Sequence, residues 1–197
     1  MQKIKFNIYQ FKQVTSTNDI AIQMIKNKAK KAGCVYANLQ TKGRGTHGKK
    51  WFSNEGNLFS SIFFPLKENY PPFNEFSFIN PVIISNVINN FCKKKIVSLK
   101  FPNDIFVNGK KICGILQELI TLDKKNFLVI GIGINIISNP KINAKYKTTN
   151  IFLETKKKPP IKKVLKQITK AYEDFFLNLS SYNFNEFKKK ANLMALN

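Results

Sequence analysis

Residues 97–135 read VSLKFPNDIFVNGKKICGILQELITLDKKNFLVIGIGIN. β-branched and aromatic residues dominate this run, and turn residues break it into short pieces, which is the pattern of successive strands. VSLKF leads into Pro102-Asn103-Asp104. IFV-NG-KKIC then carries Asn108-Gly109, a dipeptide that suits the two positive-φ positions of a type I′ hairpin turn. GILQELI and FLVIGIGINI follow as strands around a turn at Asp123–Asn126. Upstream, IKFNIYQF alternates as a strand, and Ser16 or Thr17 can cap a helix over 18–32 with Ile22, Ile25 and Ala29 on one face and Gly33 as its stop. CVYANLQ (34–40) and NLFSSIFFP (57–65) read as strands, and 75–94 as a helix built on Phe78, Val82, Ile83, Val87 and Phe91. Downstream of Pro159, helical spacing places Val164, Leu165, Ile168, Tyr172, Phe175 and Phe176 together. Strands and helices without regular βαβ alternation predict an α+β fold.

The whole chain has 197 residues, suited to one domain and able to bury roughly 70% of its unfolded surface. No apolar run approaches the ~20 residues of a membrane span, and the N-terminus lacks a signal-peptide pattern. The expectation is a soluble, cytoplasmic protein with no membrane partner. Cys34, Cys92 and Cys113 are sparse and form no CxxC pair, and His47 is the sole histidine, so a disulfide framework, a thiolate zinc site and a Ser-His-Asp triad are disfavoured.

The formal charge is +22, from 33 basic and 11 acidic residues. Nucleic acid is the reflex reading of such a balance. The basic set, however, is 32 Lys and one Arg, and Asn and Ile reach 24 each. A/T-rich codons would produce that composition whatever the function. The lysines, including the groups Lys93–Lys95, Lys156–Lys158 and Lys188–Lys190, read as a solvated surface, and no recognition helix or Arg-rich patch accompanies them.

Glycine and arginine locate the chemistry better. Gly43, Gly45 and Gly48 fall within six residues, beside cationic side chains, where exposed backbone N–H groups can face an anion. Arg44 lies between two of them. Where lysine replaces arginine throughout, the one remaining Arg marks a position that needs a planar, bidentate fork for phosphate or carboxylate.

The segments T15-S-T-N18, Q40-T-K-G-R-G-T-H-G-K-K-W51, K100-F-P-N-D104, G109-K-K-I-C-G-I-L-Q-E118 and G131-I-G-I-N135 stand in the order and spacing of the biotin–protein ligases, which the chain resembles over about 15–135. The resemblance implies a mixed β-sheet flanked by helices, akin to the catalytic domain of class II aminoacyl-tRNA synthetases. It implies formation of biotinyl-5′-adenylate from biotin and ATP with Mg²⁺. Transfer then follows to one lysine of a biotin carboxyl carrier protein, usually that of acetyl-CoA carboxylase. Related lipoate and octanoate ligases or transferases are the nearer alternative, and a basic nucleic-acid-binding domain the more distant one.

By position, Ser16, Thr17, Asn18 and Gln40 would hydrogen-bond biotin. Gly43, Arg44, Gly45 and Thr46 would belong to the loop folding over it, and Gly114 would let backbone pass close. Trp51 would offer an aromatic face to adenine. Lys111, with Arg44, would stabilise charge at the reacting carboxylate and α-phosphate. Lys100, Asn103, Asp104 and Asn135 would serve ATP, with Asp104 toward Mg²⁺. Thr46 replaces a second loop Arg that helps to retain the adenylate, which implies a leakier intermediate, and Phe101 replaces a family Trp. The expected organisation is a single catalytic domain over 1–197 without an N-terminal helix-turn-helix or a C-terminal β-barrel. That implies a monofunctional enzyme with no specific DNA partner. Family members often dimerise, so a homodimer is compatible with the resemblance.

Overall fold

In the computed structural model, residues 4–93, 95–140 and 146–196 are described, so Lys94 of the first lysine group lies outside them. The elements in chain order are β1 (Ile8–Val14), α1 (Thr17–Lys26), β2 (Gly33–Gln40), β3 (Leu58–Pro65), α2 (Phe76–Phe91), β4 (Val97–Lys100), β5 (Asp104–Val107), β6 (Lys110–Leu122), β7 (Lys125–Ile134), α3 (Ile151–Thr155), α4 (Ile161–Leu177) and α5 (Phe184–Leu193). The strands form one mixed sheet in the order β1-β2-β3-β7-β6-β5-β4. β1 and β2 run parallel, and every other neighbouring pair is antiparallel. This is the predicted α+β arrangement.

Alternation along β7 sets the layers. Its even residues Leu128, Ile130, Ile132 and Ile134 join the large core beneath α2, α4 and α5. Its odd residues begin as Phe127 and Val129, which pack with Ala21 and Ile25 of α1 in a second, smaller core. They continue as Gly131 and Gly133. Side-chain period 2 therefore puts two apolar residues under α1 and then two glycines at and beyond its N-terminal end, leaving open space on that face.

Local signals hold where they concern turns. Asn108 and Gly109 adopt φ of 50° and 71°, the two positive angles a type I′ turn requires. Asp123 and Lys124 (φ 49° and 61°) close the β6–β7 hairpin, a tighter turn than the four residues expected.

Boundaries set by burial differ. α1 ends at Lys26, not at residue 32, because 26–31 (KNKAKK) offers no large apolar side chain to bury; Ala29 is exposed and Ile22 only half-buried. Gly33 does not stop the helix. It opens β2, where a Cβ would meet the Tyr9 ring at 2.6 Å. Ser16 is the N-cap residue but makes no side-chain cap bond. The first strand starts at Ile8, later than the alternation suggested. α2 is buried nearly all round, at Phe76, Ile79, Val82, Ile83, Ile84, Val87 and Ile88, while Phe78 and Phe91 are only half-buried.

A polar chain crosses the large core. Tyr172 Oη donates to Asn80 Oδ1 (2.9 Å), Asn80 Nδ2 to Gln117 Oε1 (2.9 Å), and Gln117 Nε2 to the Phe73 carbonyl (3.0 Å). Tyr172→Phe strands the Asn80 oxygen in a fully buried place and is expected to lower stability by about 1–2 kcal/mol. A shift in the urea midpoint at unchanged slope is the measurement; no shift would show that the acceptor finds another donor.

Candidate active site

A cavity of about 800 Å³ opens on the α1 face of the sheet, over the glycine stripe. Its walls come from the start of α1, the 41–52 loop, β6, β7 and residues 146–148. Of the sequence-predicted residues, Ser16, Thr17, Asn18, Gln40, Arg44, Gly45, Thr46, Trp51, Lys100, Asn103, Asp104, Lys111, Gly114 and Asn135 all line it. Gly43 does not. It is buried within the loop, where a Cβ would meet the Trp51 carbonyl oxygen at 2.6 Å and Ser53 Oγ at 2.8 Å.

The floor is polar and closely paired. Thr17 donates from its backbone N (2.8 Å) and its Oγ1 (3.1 Å) to Gln40 Oε1, and Gln40 Nε2 donates to Ser53 Oγ (2.9 Å). Ser61 on β3, which the sequence reading missed, bonds both Thr17 and Asn18 (2.7 and 2.5 Å). Asn18 of α1 fits because Gly131 of β7 lies beneath it: a Cβ there would collide with the amide oxygen.

The 41–51 segment is a hairpin, more ordered than its Gly-Lys content suggested. Trp51 N donates to the Gly43 carbonyl (2.9 Å), Gly45 N to the Lys49 carbonyl (2.6 Å), and Arg44 bridges Lys50. His47 and Gly48 turn its tip at φ of 54° and 71°. His47 is exposed and does not line the cavity. Thr46 Oγ1 accepts from Asn103 Nδ2 (3.1 Å), tying the tip to the turn before β5.

Trp51 lies across Gly114 and Gly133, which face each other on β6 and β7. Its Nε1 is buried without a partner. An orphaned donor in a cavity wall is a group awaiting a ligand or water.

Cationic side chains complete the wall. Lys111 Nζ pairs with Asp104 Oδ1 at 2.6 Å, and both side chains are largely buried. Tyr146, also missed, accepts from that ammonium at 3.4 Å and sets its ring 5.2 Å from it. Lys100 Nζ approaches the same ring (5.8 Å). Arg44 forks onto Glu118 (Nη1–Oε1 and Nη2–Oε2, both 2.9 Å) and reaches Asp19 (2.7 Å). The bidentate geometry expected of this Arg is present, but its partner is the protein's own carboxylate. Glu118 closes the G109–E118 motif but was assigned no role, and Asp19, next to the T15–N18 motif, carried none; acidic residues are scarce here, which is the signal that both share. Asn135 spends its amide on the Thr149 carbonyl (3.0 Å).

Asp104 is the one carboxylate expected to meet a metal, and it is committed to Lys111. Among the described residues no three His, Cys, Asp or Glu side chains gather as a metal-holding group. That donor set does not fit a resident ion. The three thiols are buried, and burial pushes Cys34 up to about 12, so none offers a thiolate nucleophile near neutral pH. Among the described residues, no helix is long and apolar enough to cross a membrane.

The model of the biotin/lipoate A/B protein ligase family matches residues 10–135. The bifunctional ligase/repressor BirA of Escherichia coli is 34% identical over 126 residues, which is 62% of this chain but 38% of that protein. The chain therefore spans well under half of that relative's length. The biotin protein ligase of Leishmania major, solved with biotin, superposes with a TM-score of 0.82 at 28% identity, covering 96% of this chain and 81% of that one. The Aquifex aeolicus biotin protein ligase with biotin and ATP gives 0.80 at 29% identity, covering 96% and 78%. The hairpin, the glycine floor and the Lys111–Asp104 pair fall within the matched segment, with Tyr146 and Thr148 of the cavity wall just beyond it, and by that match the chain belongs to the biotin/lipoate A/B protein ligase family.

Proposed function

We propose that the chain is a biotin–protein ligase, joining biotin to ATP as biotinyl-5′-adenylate and passing the biotinyl group to a lysine of a biotin carboxyl carrier protein. The observation that carries this reading is one cavity holding both halves of the recognition problem. A paired amide–hydroxyl floor (Thr17, Asn18, Gln40) suits the ureido head of biotin, and the largely buried Lys111 ammonium suits two anions brought together.

Adenylation requires a carboxylate to attack the α-phosphate, which places like charges in contact. The ammonium of Lys111, held by Asp104 and Tyr146, is fixed before the reaction and offsets the charge that builds on the phosphoryl oxygens. The hairpin excludes water above it, protecting the mixed anhydride until a carrier lysine arrives. Lys49, Lys50 and Lys100 line the exposed mouth and suit the β- and γ-phosphates. Mg²⁺ enters as part of the Mg–ATP substrate, in keeping with the lone, already paired Asp104. A positively charged surface would also steer an acidic carrier domain toward the mouth.

A thioester route, the mark of a transferase, is disfavoured because no cysteine lines the cavity and a buried neutral thiol is a poor nucleophile. The test is pyrophosphate exchange with Mg–ATP in the presence of biotin, lipoate or octanoate. Exchange with biotin alone is expected. Exchange with lipoate or octanoate instead would move the chain to another branch of its family, and no exchange with any acid would overturn the ligase reading.

A further inference from the structure

The hydrogen bonds beneath the cavity converge on one side chain that the mechanism does not use. Glu118, on β6, takes both nitrogens of the Arg44 fork on its two oxygens (2.9 Å each) and on Oε2 also accepts from Asn18 Nδ2 (2.6 Å). Through Asn18 it is continuous with Ser61, Thr17 and Gln40. Through Arg44 it is continuous with the 41–51 hairpin, whose far strand carries Trp51. One carboxylate thus couples the loop above the cavity to the polar floor below it.

Charge accounting makes the arrangement specific. Only 11 acidic residues face 33 basic ones in this chain, yet Glu118 and Asp19 both serve the single Arg. A lysine could satisfy a point charge, but it cannot take both carboxylate oxygens in plane. With the fork engaged, Arg44 and the hairpin it bridges are held down on the glycine floor.

We infer that Glu118 is a positioning residue that clamps the 41–51 hairpin over the cavity through Arg44 and aligns Asn18 for the ligand, so that the biotin site is assembled before biotin arrives. The second half of this statement rests on the ligase reading; the first does not. Pre-assembly matters because a loop ordered only on binding subtracts its ordering entropy from the affinity.

The experiment uses Trp51, the only tryptophan in the chain, as reporter. Glu118→Gln keeps the size and an acceptor for Asn18 but removes the charge and the two-oxygen fork. Asp123→Asn, at an exposed surface pair with Lys28, controls for the loss of one negative charge. In the absence of ligand, Glu118→Gln is expected to red-shift Trp51 emission, and Asp123→Asn is not. Arg44→Lys should reproduce the shift, because it also loses the fork, and it serves if Glu118→Gln folds poorly. With biotin, Glu118→Gln should weaken binding about tenfold and raise KM for biotin more than it lowers kcat. Unchanged emission in both clamp variants would overturn the clamp. Tighter biotin binding in Glu118→Gln would overturn it as well, since Glu118 would then be competing with the ligand for Arg44. If the wild-type chain fails to bind or activate biotin, the ligase reading falls, while the ligand-free emission still decides whether Glu118 holds the hairpin.

Discussion

Replacing Lys111 with Gln is expected to lower kcat/KM for biotin-dependent pyrophosphate exchange by about 10²–10³-fold, the usual effect of removing one preorganised charge from a water-poor site. The position leaves the ammonium little freedom. The Lys111 backbone is bonded on both sides to the 147–149 segment, N to the Lys147 carbonyl and carbonyl to Thr149 N (2.9 Å each). Its side chain is enclosed by Asp104, Trp51 and Tyr146. The same substitution leaves the Asp104 carboxylate without its cation, and a half-broken, largely buried pair is destabilising by itself. Lys111→Gln/Asp104→Asn separates the two effects. The double variant should recover the thermal midpoint lost in the single one while activity stays low. Recovery of activity together with stability would reduce Lys111 to a structural partner of Asp104.

Gly133→Ala should cost the site its ligand without costing the protein its fold. A Cβ at Gly133 would fall 2.6 Å from Trp51 Cζ2 and closer still to a neighbouring ring atom, and a Cβ at Gly114 would fall 2.6 Å from Cζ3. The indole cannot slide along the floor to make room, because the facing glycine is as tight. Nor can it lift freely, because the Trp51 backbone is bonded to Gly43. Overpacking of about 1–3 kcal/mol corresponds to roughly a 5- to 150-fold loss of biotin affinity if the ring must leave its place. Replacing a strand glycine with alanine gains roughly 0.5–1 kcal/mol of backbone entropy, so the thermal midpoint should change little. Calorimetric titration with biotin measures the first effect and Trp51 emission reports the displaced ring. Undiminished affinity would mean that the ring's position on the floor is not the binding-competent one.

Much of the sheet is legible before any coordinate. The Asn108-Gly109 hairpin follows from residue types that tolerate positive φ, and FLVIGIGIN tells by alternation alone which β7 residues share a face. What that face does is less visible. Gly131 and Gly133 point to a close approach, but that Asn18 and Trp51 are the groups approaching is a matter of long-range packing. The stop signal at Gly33 mispredicts the end of α1, because residues 26–31 have no large apolar side chain to bury. Burial, not propensity, ended the helix at Lys26.

The site divides the same way. Its membership was readable: fourteen of the fifteen expected residues line the cavity, because motif order carries over wherever the backbone path is shared. The sole Arg was readable too, and so was its need for a planar, two-oxygen partner. The identity of that partner was not. Glu118 lies 74 positions from Arg44 and Asp19 lies 25, and no local rule of spacing, charge or period connects them. Lys111 likewise reads as one lysine of 32 until β5 and β6 pair and bring Asp104 beside it, and residues 146–148 add Tyr146. Sequence by itself determined most of the strands, the Asn108-Gly109 turn and fourteen of the residues that line the cavity. The tertiary structure alone decided which charges face one another, because ion pairing depends on distances between segments that only the closed sheet brings together.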